Sequence, residues 1–101
     1  VLAEGADVAT AEARSMAARA VLALSAQRVE GRLATIRFQA LGDPAVIAVG
    51  QWLCEYCQGR KLTELSSLAA ADISSALDIR EDRLHCALLG EDALAALLVR
   101  F

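Results

Sequence analysis

The chain has 101 residues, with 10 Lys and Arg against 13 Asp and Glu, one His, three Cys, one Pro and four aromatics among them. That length supports one domain, expected to span residues 1–101, and a single core large enough to stand without staples. A hydrophobic fraction of 56% argues against disorder, and a net charge of −3 argues against a nucleic-acid binder, which needs a basic face to neutralise phosphates.

No run of about 18 uncharged apolar residues is present, so no membrane span is expected. The opening residues Val1 to Gly5 lack a basic stretch followed by a long apolar one, so no secretory signal is read there. The first residue is Val rather than Met, which fits a piece of something longer. Three cysteines, Cys54, Cys57 and Cys86, all lie in the second half. An odd count without a secretory signal reads as reduced thiols in a cytoplasmic protein rather than a disulfide framework.

Val8 to Ala18 is rich in alanine and carries Glu12 and Arg14, so propensity alone predicts a weakly driven helix. From Ala20 the pattern changes. Val21, Leu22 and Leu24 lead through Gln27-Arg28-Val29 to Glu30-Gly31-Arg32, and Leu33, Ile36 and Phe38 follow. Two β-capable runs around a short Gly-containing link predict an antiparallel hairpin over about residues 20–39. Gly42-Asp43-Pro44 then predicts a helix start, with Asp43 as N-cap, Pro44 at the first helical position and Gly59 at the C-terminal end. Leu62 to Leu68 reads as a short helix, and Asp72 as the cap of a further helical turn through Ala76. Arg80-Glu81-Asp82-Arg83 reads as a solvated charged link. Leu88, Leu89, Leu94, Leu97, Leu98 and Phe101 recur near helical spacing and predict a terminal amphipathic helix. The fold class is therefore α+β, a small antiparallel sheet covered by C-terminal helices.

Candidate chemistry is sparse. Cys54-Glu-Tyr-Cys57 has the spacing of a metal knuckle but falls inside a predicted helix, where two thiols on one face more often pack than ligate. Trp52 and Tyr56, four apart on the same helix, are expected to pack on each other. His85-Cys86 sits where the charged link meets the last helix, a position that favours a thiolate. Asp43, besides capping, is a carboxylate that suits a hard or borderline metal. With a single His no nucleophile–base set can be assembled, and no Gly-rich phosphate loop is present, so no enzyme activity is expected.

From Glu30 to the C-terminus the chain resembles the IscU/NifU N-terminal family of iron–sulfur cluster assembly scaffolds. HCALLGEDALAALL over residues 85–98 is similar to the family ending HCSxLAEDAIKAAI without a gap, and FQALGDPAVIA over 38–48 is similar to FKTxGCGSAIA. GRKLTE at 59–64 resembles the GKSLDE that follows at the same distance. The resemblance implies an antiparallel sheet covered by helices. It also implies a nascent two-iron, two-sulfur cluster, or a zinc ion, held by three cysteines, helped by one Asp and by the His before the last Cys. Here the departures outweigh the match. The first ligand, in a CGD motif, falls near Ala18-Arg19-Ala20, where neither Cys nor Asp stands, and the second corresponds to Asp43. Only His85 and Cys86 match the family's ligands. The LPPVK segment that members offer to a dedicated heat-shock chaperone falls on Ile79-Arg-Glu-Asp-Arg83 and is lost. Cys54 and Cys57 cannot replace the missing thiols. Cys54 lies about ten residues into the helix from Pro44, or ~15 Å along its axis at 1.5 Å per residue.

Two expectations follow from the resemblance and its departures. One is an interaction or structural domain that holds no cofactor and packs on a protein partner or sister domain. The other is a metal-binding scaffold or carrier that takes zinc or iron through Asp43, His85 and Cys86.

Overall fold

The structure is a computed structural model that describes residues 7–16 and 19–101. Three strands form one antiparallel meander in the order β1-β2-β3: Val8–Ser15, Ala20–Val29 and Arg32–Leu41. Four α-helices follow: α1 Pro44–Cys57, α2 Leu62–Leu65, α3 Ala70–Leu77 and α4 Leu84–Val99, the last preceded by a single 3-10 turn at Glu81–Arg83. The α+β class, the hairpin and the terminal helix agree with the sequence expectation.

The first strand corrects it. Val8 to Ser15, expected as a helix, pairs with β2 from Val8↔Gln27 to Ser15↔Ala20. Ala9 and Ala11 are buried against the helices while Thr10, Glu12 and Arg14 face away. This alternation of small apolar and polar residues has the period of a strand, and it prevails over alanine's preference for helix once β2 offers a partner. Ala18, the end of the expected helix, lies outside the described residues.

The β2–β3 link is a two-residue turn in which Glu30 (φ 51°) and Gly31 (φ 76°) both take positive φ, the backbone sign that matches the right-handed twist of a hairpin. One face of the sheet is covered: α4 lies against β1 and β2, and α1 against β3, with α3 beside both helices. Between these layers Leu22, Leu24, Leu33, Val46, Val49, Leu53, Ile73, Leu94 and Leu97 are fully or almost fully buried. Burial of such side chains, at roughly 1.5–3 kcal/mol each, is the main force holding the layers together.

Helix ends follow the sequence. The Asp43 carboxylate accepts a hydrogen bond from the Ala45 N–H at 2.8 Å, Pro44 sits at the first helical position, and Gly59 follows the last turn of α1 with φ 83°. Asp72 does not precede α3 as expected. It lies on the first turn and reaches back to accept from the Ala69 N–H at 2.9 Å, so the helix begins two residues earlier, at Ala70. Trp52 and Tyr56 stack on each other, with ring centroids 4.8 Å apart. Among the described residues no helix is long and apolar enough to cross a membrane.

Candidate functional site

Three chain junctions meet at one corner of the sheet. The first is the β1–β2 turn, where Arg19 takes φ 52° and its N–H reaches the Met16 carbonyl at 3.3 Å. The second is the β3–α1 junction, Leu41-Gly42-Asp43. Gly42 has φ 123°, and a Cβ there would lie 3.0 Å from the Ala20 Cβ and 3.4 Å from the Arg19 carbonyl oxygen. Only glycine lets the two junctions approach this closely with that backbone. The third is the start of α4, which brings up Arg83, His85 and Cys86.

Asp43 joins the second junction to the third. One carboxylate oxygen caps α1 through Ala45, and the other meets the Arg83 guanidinium at 3.2 Å. Both oxygens are therefore engaged by this chain. Arg83 belongs to the link read from sequence as solvated. It remains half-exposed, but it spends its charge on Asp43. Sequence reasoning missed this pair because the two residues are forty apart, and only the packing of α4 beside the sheet brings them together.

Cys86 is fully buried in the first turn of α4. Burial pushes its thiol above the usual range and the nearby Asp43 carboxylate pushes it the same way, while Arg83 opposes both. Asp43 and Cys86 thus share one corner. His85 is half-buried, and its ring makes no hydrogen bond or ion pair among the described residues. Among those residues no three or more His, Cys, Asp and Glu side chains gather into a group suited to a metal ion.

The other two thiols belong to the far end of α1. Cys57 is buried in the core and Cys54 is half-buried. Burial is the main cause that pushes Cys54 up to about 11, against the opposing pull of Arg37, and Cys57 up to about 12. They lie at the opposite end of the helix from the Asp43 cap.

The family model of the NifU-like N terminal domain matches residues 2–101. The chain belongs to that family. Curated relatives agree: the iron-sulfur cluster assembly scaffold protein IscU of Escherichia coli strain K12 is 29% identical over 72 residues, covering 71% of this chain and 56% of the relative. The iron-sulfur cluster assembly enzyme IscU of Drosophila melanogaster is 30% identical over 71 residues, covering 70% and 46%. The iron-sulfur cluster assembly protein 2 of Arabidopsis thaliana is 31% identical over 64 residues, covering 63% and 39%. The aligned part of the chain spans about half the length of these relatives or less. The segments that carry the resemblance around Asp43 and at His85-Cys86 lie on two of the three junctions.

Proposed function

We propose that this NifU-like domain keeps the scaffold fold but does not hold a cluster itself, and that it acts as an interaction or structural domain against a protein partner or a sister domain. The observation that carries the reading is the Asp43–Arg83 ion pair. At the position where the resemblance puts a cysteine stands a carboxylate whose two oxygens are already taken by Ala45 and Arg83. Iron–sulfur clusters are held chiefly by thiolates, usually four per cluster, and the corner offers one thiol, Cys86, which is buried. Ala18-Arg19-Ala20 adds no donor side chain, and Arg19 adds positive charge. These residues do not fit a two-iron, two-sulfur cluster held by one chain. On this reading the domain catalyses no reaction, forms one unit over residues 1–101 and works in the cytoplasm, where its three thiols stay reduced.

A second reading is favoured by the shared corner of Asp43 and Cys86. If Arg83 swings away, the carboxylate, the Cys86 sulfur and the adjacent His85 imidazole make up a chemically sound three-donor zinc set.

One experiment separates the two. Anaerobically purified protein is supplied with ferrous iron and sulfide, and in parallel with zinc, beside Cys86→Ala and an Ala18→Cys/Asp43→Cys variant. The first reading expects no stoichiometric chromophore and no retained metal in the natural chain, with a chromophore appearing only when the two thiols are added. A stable cluster chromophore in the natural chain overturns it. About one zinc per chain, lost in Cys86→Ala, establishes the second reading instead.

A further inference from the structure

The uncovered face of the sheet carries an arrangement that neither reading uses. Register places Thr10, Ser25 and Arg37 in one row across all three strands, and Glu12, Ala23 and Gln39 in the next. Side chains of one row stand side by side on the same face, about 5 Å apart at Cβ. Ala23, at the centre of its row, leaves a hollow, and these six residues together with Phe38 line a recess of about 270 Å3.

Three features of its lining point the same way. Ser25 is the one buried polar or charged residue among those described, only 4% exposed, although it faces away from the helices. Its hydroxyl lies 3.1 Å from that of Thr10. One proton is spent in that bond and the other O–H has no partner among the described residues. Arg37, one strand over, makes no ion pair or hydrogen bond through its side chain among the described residues. Glu12, by contrast, is already engaged: Arg14 donates to it through two nitrogens, at 3.0 and 2.7 Å. The uncompensated charge of the recess is therefore the single positive charge of Arg37.

We propose that this recess binds one carboxylate group, held by the Arg37 guanidinium, by the unspent hydroxyl proton of the Thr10–Ser25 pair and by the Gln39 amide. A guanidinium fork and a carboxylate match in geometry as well as charge. A single guanidinium beside neutral donors balances one negative charge, which favours a monoanion over a divalent phosphate. The volume lies just under the roughly 300–1,000 Å3 of pockets that enclose whole ligands, so the recess suits a small organic acid or one acidic side chain.

The test is a nuclear magnetic resonance titration of the intact chain with sodium acetate, with inorganic phosphate and with the capped peptide acetyl-Ala-Glu-Ala-amide, each against sodium chloride at equal ionic strength. Acetate is expected to produce saturating shifts at Thr10, Ser25 and the Arg37 side-chain N–H. Apparent affinity should fall about tenfold or more in Arg37→Gln, and about threefold or more in Ser25→Ala, as expected for losing a charged and a neutral hydrogen bond. Arg37→Lys, which keeps the charge but not the fork, is expected to fall between Arg37→Gln and the natural chain. Saturation by the peptide as well as acetate identifies an acidic side chain of another protein as an admissible source, while saturation by acetate alone restricts the site to free acids. Shifts that chloride reproduces, an Arg37→Gln variant that titrates like the natural chain, or tighter binding of phosphate than of acetate would each overturn the proposal.

Discussion

The corner where the three junctions meet and the layer between sheet and helices are built from the same segments, yet they are held by different forces. In the layer, position after position is set by volume: Leu22, Leu24, Leu33 and Leu53 are completely buried, and a Cβ at Gly90 of α4 would lie 2.5 Å from a methyl of Val49 on α1. In the corner the contacts are polar and few, chiefly Asp43 with Ala45 and Arg83. The junctions still converge although most of the expected ligands are absent. Their convergence is thus a product of the packed layer, and the corner is free to change its chemistry without losing its shape.

The comparison is broken most sharply by attacking the layer. Leu53→Ala should cost about 3 kcal/mol of unfolding free energy, the usual toll of a buried leucine with its cavity, measured by urea unfolding. Asp43→Ala, which removes both the cap and the ion pair, should cost about 1–2 kcal/mol. Asp43→Asn, which keeps an acceptor for Ala45, should cost less than 1 kcal/mol by the same measurement. An Asp43→Ala loss larger than that of Leu53→Ala would mean the corner, rather than the layer, holds the junctions together.

A third test uses pH. Cys54 is raised to about 11 and Cys57 to about 12 from an ordinary 9.0. Above pH 9 the unfolded chain therefore loses thiol protons that the folded chain still holds. Stability should be insensitive to these thiols below pH 9 and fall as pH rises from 9 towards 12. Cys57→Ala should flatten that fall in urea midpoints recorded across the range. The same protonation should make native Cys54 about a hundredfold slower than an ordinary thiol towards iodoacetamide at pH 8, with unfolding restoring the normal rate. At the smallest end, Arg80→Ala removes an ion pair whose partners are 85% and 61% exposed, and the urea midpoint should move by no more than about 0.5 kcal/mol in equivalent stability.

Part of the corner was readable before the fold was known: Asp43-Pro44 marks a helix start, and His85-Cys86 falls where the charged link gives way to the last helix. Arg83 was not. Nothing local to an arginine in a charged link says that a carboxylate forty residues earlier will stand beside it. Ser25 was equally silent: a serine in a strand carries no mark of whether it faces helices, solvent or another hydroxyl until the register is known. The first strand is a different case. Its alternation of Ala9, Ala11 and Ala13 with Thr10, Glu12 and Arg14 was present all along, but alanine contributes so little burial that the periodicity was outweighed by helix propensity.

What the sequence determined by itself is local: the Glu30-Gly31 turn, the Asp43-Pro44 helix start, the Gly59 stop and the apolar spacing of α4, each set by backbone preference or periodicity within a few residues. The tertiary structure decided the rest. It made a strand of an alanine-rich segment by supplying β2 as a partner, paired Asp43 with Arg83, buried Cys86 beside them and lined up Thr10, Ser25 and Arg37. Those outcomes depend on which distant segments are packed together, and that choice is made by the buried layer as a whole.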